Sequence, residues 1–176
     1  MGTAAKQVRE KSEVRGGDSL IFVTIGMHTA GFERLIKRMD EIAGTINEEV
    51  IMQIGHAKYV PQNAKSFKFI TETELKRLCH EARIVVTHGA MTIIDALEQG
   101  TRVIAVPRLQ KYGEHLNDHQ LYFVRELEKE GRVIAVYDVE KLEEALAKVD
   151  LKPPELVKDK RLVNALKKYI EVIERG

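Results

Sequence analysis

Tryptophan is absent from this chain, cysteine occurs once, and no apolar run is long. A lone Cys79 excludes an internal disulfide and fits a reducing, cytoplasmic setting. It reads as a small core residue. Five phenylalanines and five tyrosines leave little for a base-stacking platform, and a net charge of +1 gives no electrostatic signal for nucleic acid. Runs such as Val103 to Val106 are far too short to span a bilayer. Residues 1–19 carry mixed charge and the pair Gly16-Gly17, without the apolar centre of a signal peptide, and read as a flexible leader.

What is present is alternation. Leu20 to Ile25 is a β-branched run that stops at Gly26. Phe32 to Ala43 has apolar residues at 32, 35, 36, 39, 42 and 43, a helical period. Strands are then predicted at Glu49 to Ile54, Phe67 to Ile70, Ile84 to Thr87, Arg102 to Val106 and Val133 to Val136. Helices are predicted at Glu72 to Glu81 (with Thr71 and Glu74 as a capping box), Thr92 to Gln99, His115 to Glu130 and Asp138 to Val149. After Pro153-Pro154 a last helix over 155–174 has an apolar stripe and several lysines, either to cover its own sheet or to dock a partner. Apolar strands alternating with helices imply an α/β, Rossmann-like parallel sheet with helices on both faces. Residues 20–176 are expected to form one domain.

Such sheets bind ligands at the carboxyl ends of their strands. Three strand ends carry chemistry. Gly26-Met27-His28-Thr29-Ala30-Gly31 permits close backbone approach. In His88-Gly89-Ala90-Met91-Thr92, small residues lead into a helix whose first N–H groups have no partner, a site for phosphate. Thr92 and Asp95 share a helix face, which puts a hydroxyl by the phosphate and a carboxylate within reach of a ribose diol. The plainer roles, a tight turn for Gly89 and a dipole counter-charge for Asp95, remain open at this point. The third segment, Pro107 to Gln120, is long for its place and crowded with polar residues. Arg108 and Lys111 are candidate phosphate contacts there. Asn117, Asp118 and Gln120 suit sugar hydroxyls. His115 and His119 are four apart, but the stretch HLNDH lacks the glutamate of a zinc hydrolase motif, so no metal is expected. His56 and His80 read as structural residues.

The stretches IFVTIGMHTAGFERLIKRMDEI, EEVIMQIGHAKY, VVTHGAM, GAMTIIDALEQGTRVIAVP and VPRLQKYGEHLNDHQ resemble the C-terminal, donor-binding half of glycosyltransferase family 28, the GT-B type. They are most similar to its short stand-alone subunits, those of the dolichol-pathway UDP-GlcNAc transferase and of bacterial exopolysaccharide transferases. The resemblance covers about Leu20 to Val149. It implies a UDP-sugar substrate, no cofactor and no metal. It assigns the diphosphate to Gly26, His28, Thr29, His88, Gly89, Ala90, Met91 and Thr92, the ribose to Asp95, and the donor sugar to Asn117, Asp118 and Gln120. Two residues depart from the family pattern: Asp95 replaces a glutamate, and Met27 replaces a common threonine. The resemblance further implies a membrane-anchored acceptor-binding partner subunit that holds the catalytic base, so no catalytic residue is assigned in this chain. It leaves a homo-oligomer open and gives no role to nucleic acid. The competing expectation is a non-catalytic nucleotide-sugar-binding or scaffold module of the same fold.

Overall fold

The computed structural model describes residues 19–149 and, beyond them, Asn164, Lys167, Lys168 and Glu171. The predicted leader lies outside the described residues except for Ser19, whose Oγ donates to Glu48. So does most of the predicted 155–174 helix, within which the four described residues are helical.

Six strands form one parallel sheet: β1 Leu20–Thr24, β2 Glu49–Gln53, β3 Lys65–Phe67, β4 Ile84–Thr87, β5 Arg102–Ala105 and β6 Ile134–Ala135, in the order β3-β2-β1-β4-β5-β6. Within residues 19–149 five helices cover it: α1 Glu33–Ala43, α2 Glu72–Glu81, α3 Ala90–Glu98, α4 His119–Lys129 and α5 Leu142–Lys148. The central strands are buried on both faces, and their side chains alternate between two cores. Ile21, Val23, Ile84, Val86 and Ile104 meet Leu35, Ile36 and Met39 of α1 and Leu142 and Leu146 of α5. Phe22, Val85 and Val103 meet Leu78 and Cys79 of α2, Ile93 and Leu97 of α3, and Phe123 and Leu127 of α4. Burying each such side chain is worth about 1.5–3 kcal/mol. Cys79 is fully enclosed, and burial, with the nearby Asp95 charge, pushes its thiol up to about 12. It is an inert core residue.

The structure adjusts several boundaries. The third strand is Lys65–Phe67 rather than Phe67 to Ile70 because its partner β2 ends at Gln53, which sits opposite Phe67. Phe69 is consequently exposed and meets the exposed His56 edge to face. α4 begins at His119 rather than His115. Ahead of it, His115 Nδ1 accepts from Asn117 N and Asn117 Oδ1 accepts from His119 N, local bonds that compete with a helix. His115 and His119 therefore do not share a helix face. The predicted last-but-one helix splits into a 3-10 turn, Val139–Lys141, and α5.

The order β2-β1-β4 makes the chain depart from β1 to its two sides, so the loops after β1 and β4 diverge at the centre of the sheet. That switch point is where an open α/β sheet offers a crevice.

Candidate functional site

α3 starts beneath this crevice. Its N-cap is Gly89, no side chain caps it, and no acidic residue lies in its first turn. The first intrahelical bond is Ile93 N to Gly89 O at 2.9 Å, so the N–H groups of Ala90, Met91 and Thr92 precede it without an acceptor in the helix. By contrast, Thr71 Oγ1 caps α2 by accepting from Glu74 N at 3.2 Å. Gly89 has an ordinary φ of −77°, and a Cβ placed on it would come no nearer than 3.5 Å to another atom. Neither the backbone nor internal packing demands glycine there. Gly55 differs: a Cβ on it would lie 2.6 Å from Gly26 O, so that glycine is required where the β2 loop abuts the β1 loop.

Two of the loops around α3, those after β1 and β5, are tied together by one side chain. Arg108 is fully buried. Its Nη1 donates to the carbonyls of Ala30 at 2.9 Å, Gly31 at 3.2 Å and Glu114 at 3.2 Å, and its Nη2 lies 3.5 Å from Ile25 O. Its guanidinium lies over the Phe32 ring. Burial lowers it to about 10, with the Glu114 charge opposing, so it stays cationic at neutral pH. The expectation that Arg108 touches phosphate is corrected: the side chain is enclosed inside the protein, and its Nη1 is committed to backbone carbonyls. It contributes positive charge from below and holds the β1 and β5 loops in place.

Around it stand other polar residues that sequence reasoning left without a role. Arg34 forms a two-pronged pair with Glu114, both contacts at 2.9 Å, and also reaches Pro107 O at 3.3 Å. Glu114 in turn accepts from Leu109 N at 3.0 Å. Glu33 accepts from Lys58 N and Tyr59 N, which fastens the β2 loop to the start of α1. Buried Gln53 takes the Thr24 hydroxyl and donates to Gly26 O and Lys68 O. The one sequence signal for Glu33 and Arg34 was their place, directly after the glycine-bounded β1 loop.

The predicted residues fall as follows. His88 is buried, and its Nε2 lies 2.8 Å from Ile25 O, which assigns the ring hydrogen to Nε2. Arg108 Nε at 3.3 Å is then a close neighbour of the ring rather than its hydrogen-bond donor. Burial, then the Arg108 charge, depresses His88 to about 3, so it is neutral. Its Nδ1 has no hydrogen-bond partner within normal geometry, although the Gln120 amide approaches the ring. Met27, His28 and Thr29 are all exposed on the β1 loop. Gly26 donates to Thr24 Oγ1 at 3.4 Å. Thr92 is half-buried at the first turn of α3, beside Gly89. Asn117 and Asp118 immediately precede α4, and Gln120 is the second residue of that helix. Each commits one oxygen to the backbone, of His119, Gln110 and Arg108 respectively. Lys111 is exposed and lies over the Tyr112 ring.

Asp95 sits on α3, half-buried, and its carboxylate makes no hydrogen bond among the described residues. Burial raises its pKa; Lys76 and Lys167 oppose this, while Glu98 and Glu72 add to it. It lies one turn along α3 from Thr92, within electrostatic reach of Lys76 and Glu72 of α2. Among the described residues no group of three or more His, Cys, Asp or Glu is arranged to hold a metal ion. An apolar groove of about 460 Å3 lies along β6 and α5, lined by Ile134, Val136, Tyr137 and Ala145. It shares no residue with the strand-end crevice, so chemistry rather than concavity singles out the site.

Residues 20–173 match the family described as the glycosyltransferase family 28 C-terminal domain. The chain belongs to that family. Solved structures share the fold. The kitacinnamycin glycotransferase is 18% identical with a TM-score of 0.59, over 88% of this chain and 38% of that one. The UDP-GlcNAc 2-epimerase of Methanocaldococcus jannaschii is 14% identical with a TM-score of 0.57, over 91% and 46%. UDP-glucose: anthocyanidin 3-O-glucosyltransferase, solved in complex with UDP, is 12% identical with a TM-score of 0.55, over 92% and 37%. The family 28 domain thus spans less than half the length of each of these proteins. No curated protein sequence matches it. The expected Rossmann-like architecture of a GT-B C-terminal half is the one observed. This is a glycosyltransferase-type domain, and no helix among its described residues is long and apolar enough to cross a membrane.

Proposed function

We propose that this chain is the donor-binding subunit of a two-chain inverting glycosyltransferase. It binds a UDP-sugar at the β1, β4 and β5 loops. The sugar passes to a polyprenyl-diphosphate-linked or polysaccharide acceptor held by a second, membrane-anchored subunit, which supplies the catalytic base and draws this cytoplasmic chain to the membrane. The observation that carries the reading is the uncapped start of α3 behind Gly89, a glycine that nothing inside the protein requires. Absence of a Cβ there lets an anion approach the free N–H groups.

In this reading the free amides of Ala90, Met91 and Thr92 and the Thr92 hydroxyl receive the diphosphate beside Gly89, whose own N–H donates to Thr87 Oγ1 at 3.1 Å, with Gly26, His28 and Thr29 closing over it. His88 shapes the floor. Asp95, a carboxylate with no hydrogen bond among the described residues, accepts from the ribose diol. Asn117, Asp118 and Gln120 meet the sugar, and Lys111 adds charge at the rim. As the sugar departs, negative charge grows on the diphosphate. Fixed N–H dipoles, the α3 dipole and the buried Arg108 cation stabilise that charge without reorganising.

Isothermal titration tests the reading. UDP is expected to bind with a dissociation constant below about 1 mM, equivalent to roughly 4 kcal/mol. No heat of binding up to that concentration overturns it. Sugar transfer is expected only after co-purification with the acceptor subunit. UDP binding with no transfer by the complex, for any donor screened, favours the non-catalytic module instead.

A further inference from the structure

Two histidines on different loops meet across the crevice. The rings of His28, from the β1 loop, and His115, from the β5 segment, stack with centroids 5.9 Å apart and planes 29° apart. In each, Nδ1 is already used in the same way. His28 Nδ1 accepts from Ala30 N at 3.1 Å, and His115 Nδ1 from Asn117 N at 3.4 Å. An imidazole whose Nδ1 accepts must carry its hydrogen on Nε2 when neutral. The backbone therefore sets both tautomers, and the ring edge left for anything else is an Nε2–H donor.

Resting on the donor-binding reading above, we propose that His28 and His115 form a clasp of two neutral Nε2–H donors that grips the diphosphate of a nucleoside diphosphate sugar. The pair spans the loop that carries His88 and Gly89, so its two donors come from strands on either side of the α3 N-terminus. The charged and titratable groups facing His28 are Arg108, His115 and His88. His88 is neutral, so Arg108 supplies the fixed positive charge. Burial, then the Arg108 charge, holds His28 below its ordinary value, in line with a neutral donor. Charge and hydrogen bonding are thus divided. A buried guanidinium attracts the diphosphate, and two uncharged donors orient it. Protonating either ring would place a hydrogen on Nδ1 and break the bond that fixes its loop.

The test exploits side-chain geometry. A glutamine amide presents its N–H where the Nε2–H of histidine lies; an asparagine amide reaches only to the Nδ1 position. UDP binding is measured by titration calorimetry for the wild type, His28→Gln, His28→Asn, His115→Gln and His115→Asn, with uridine as the control without phosphate. Thermal unfolding establishes that each variant folds. The clasp requires that either asparagine variant lose at least tenfold in UDP affinity, that either glutamine variant stay within about threefold, and that uridine affinity move in none. Nitrogen chemical shifts of the two rings should report the Nε2–H tautomer before and after UDP is added. Asparagine variants that bind UDP as tightly as wild type overturn the clasp and leave the donor-binding reading intact, as do glutamine variants that fail equally. Wild-type protein that binds no UDP overturns both.

Discussion

Arg34 and Glu114, 80 residues apart, meet through two hydrogen bonds of 2.9 Å each. One stands on the first turn of α1 and the other in the β5 segment. Glu114 is buried and also holds Leu109 N, so the pair fixes the loop on which the candidate sugar-binding residues sit. Glu114→Ala leaves Arg34 and a backbone N–H unpaired and is expected to cost about 3 kcal/mol, at the low end for a broken buried pair. Urea unfolding of both single variants and of the double variant should give a coupling energy of at least about 1 kcal/mol. Additive effects would show that the pair is incidental.

Gly89→Ala separates packing from ligand binding. The added Cβ finds ordinary contact distances inside the protein, the nearest 3.5 Å. Alanine is a poorer N-cap than glycine, so a loss of within about 1 kcal/mol is expected. UDP affinity should fall by tenfold or more, because the methyl group stands where the anion must approach. Unaltered affinity in calorimetry would mean that the diphosphate does not approach α3 at this point.

Asp95→Asn should part stability from binding in the opposite direction. The folded protein raises the pKa of Asp95, so the native state holds this proton more tightly than the unfolded chain. Stability contributed through this group falls as pH rises through the unfolded and then the folded value, and at neutral pH the charge is a cost. The neutral variant is expected to melt at the same temperature or higher, while UDP binding weakens by about 1–3 kcal/mol. Scanning calorimetry and titration of one preparation give both answers.

Asp40 should govern the acid limb of stability. Burial pushes its carboxyl up, but hydrogen bonds from Gln62 N, Tyr59 Oη, Asn63 N and Ala64 N outweigh this and hold it below its ordinary value. The stabilisation is complete above the unfolded value of about 3.9 and is lost as pH falls through the lower folded one. Asp40→Asn should be less stable at neutral pH and lose less on acidification. Urea midpoints from about pH 6 to about pH 2 measure this. Parallel curves for the two proteins would assign the acid limb elsewhere.

The layered fold was legible because each central strand is apolar on both faces and each helix on one, a pattern visible residue by residue in segments such as Ile84 to Thr87 and Leu35 to Ala43. The α3 start was legible for a local reason too: a strand followed at once by small residues and a helical period. Arg108 was misread because a cation in a long polar loop looks solvent-facing until the loops around it are assembled. Its acceptors are carbonyls, which every residue has, so no side-chain pattern marks them. Asp40 escaped notice for the same reason: three of its four donors are backbone N–H groups of a loop more than 20 residues away.

The chain's own order of residues determined which strands and helices form, and that phosphate-suited backbone would sit at strand ends, because periodicity and helix termini are local properties. Only the tertiary structure decided which loops become neighbours, that a buried arginine binds them from below, and that His28 and His115 face each other. Those outcomes depend on strand order and on contacts between residues 77 or more positions apart, where sequence spacing carries no distance.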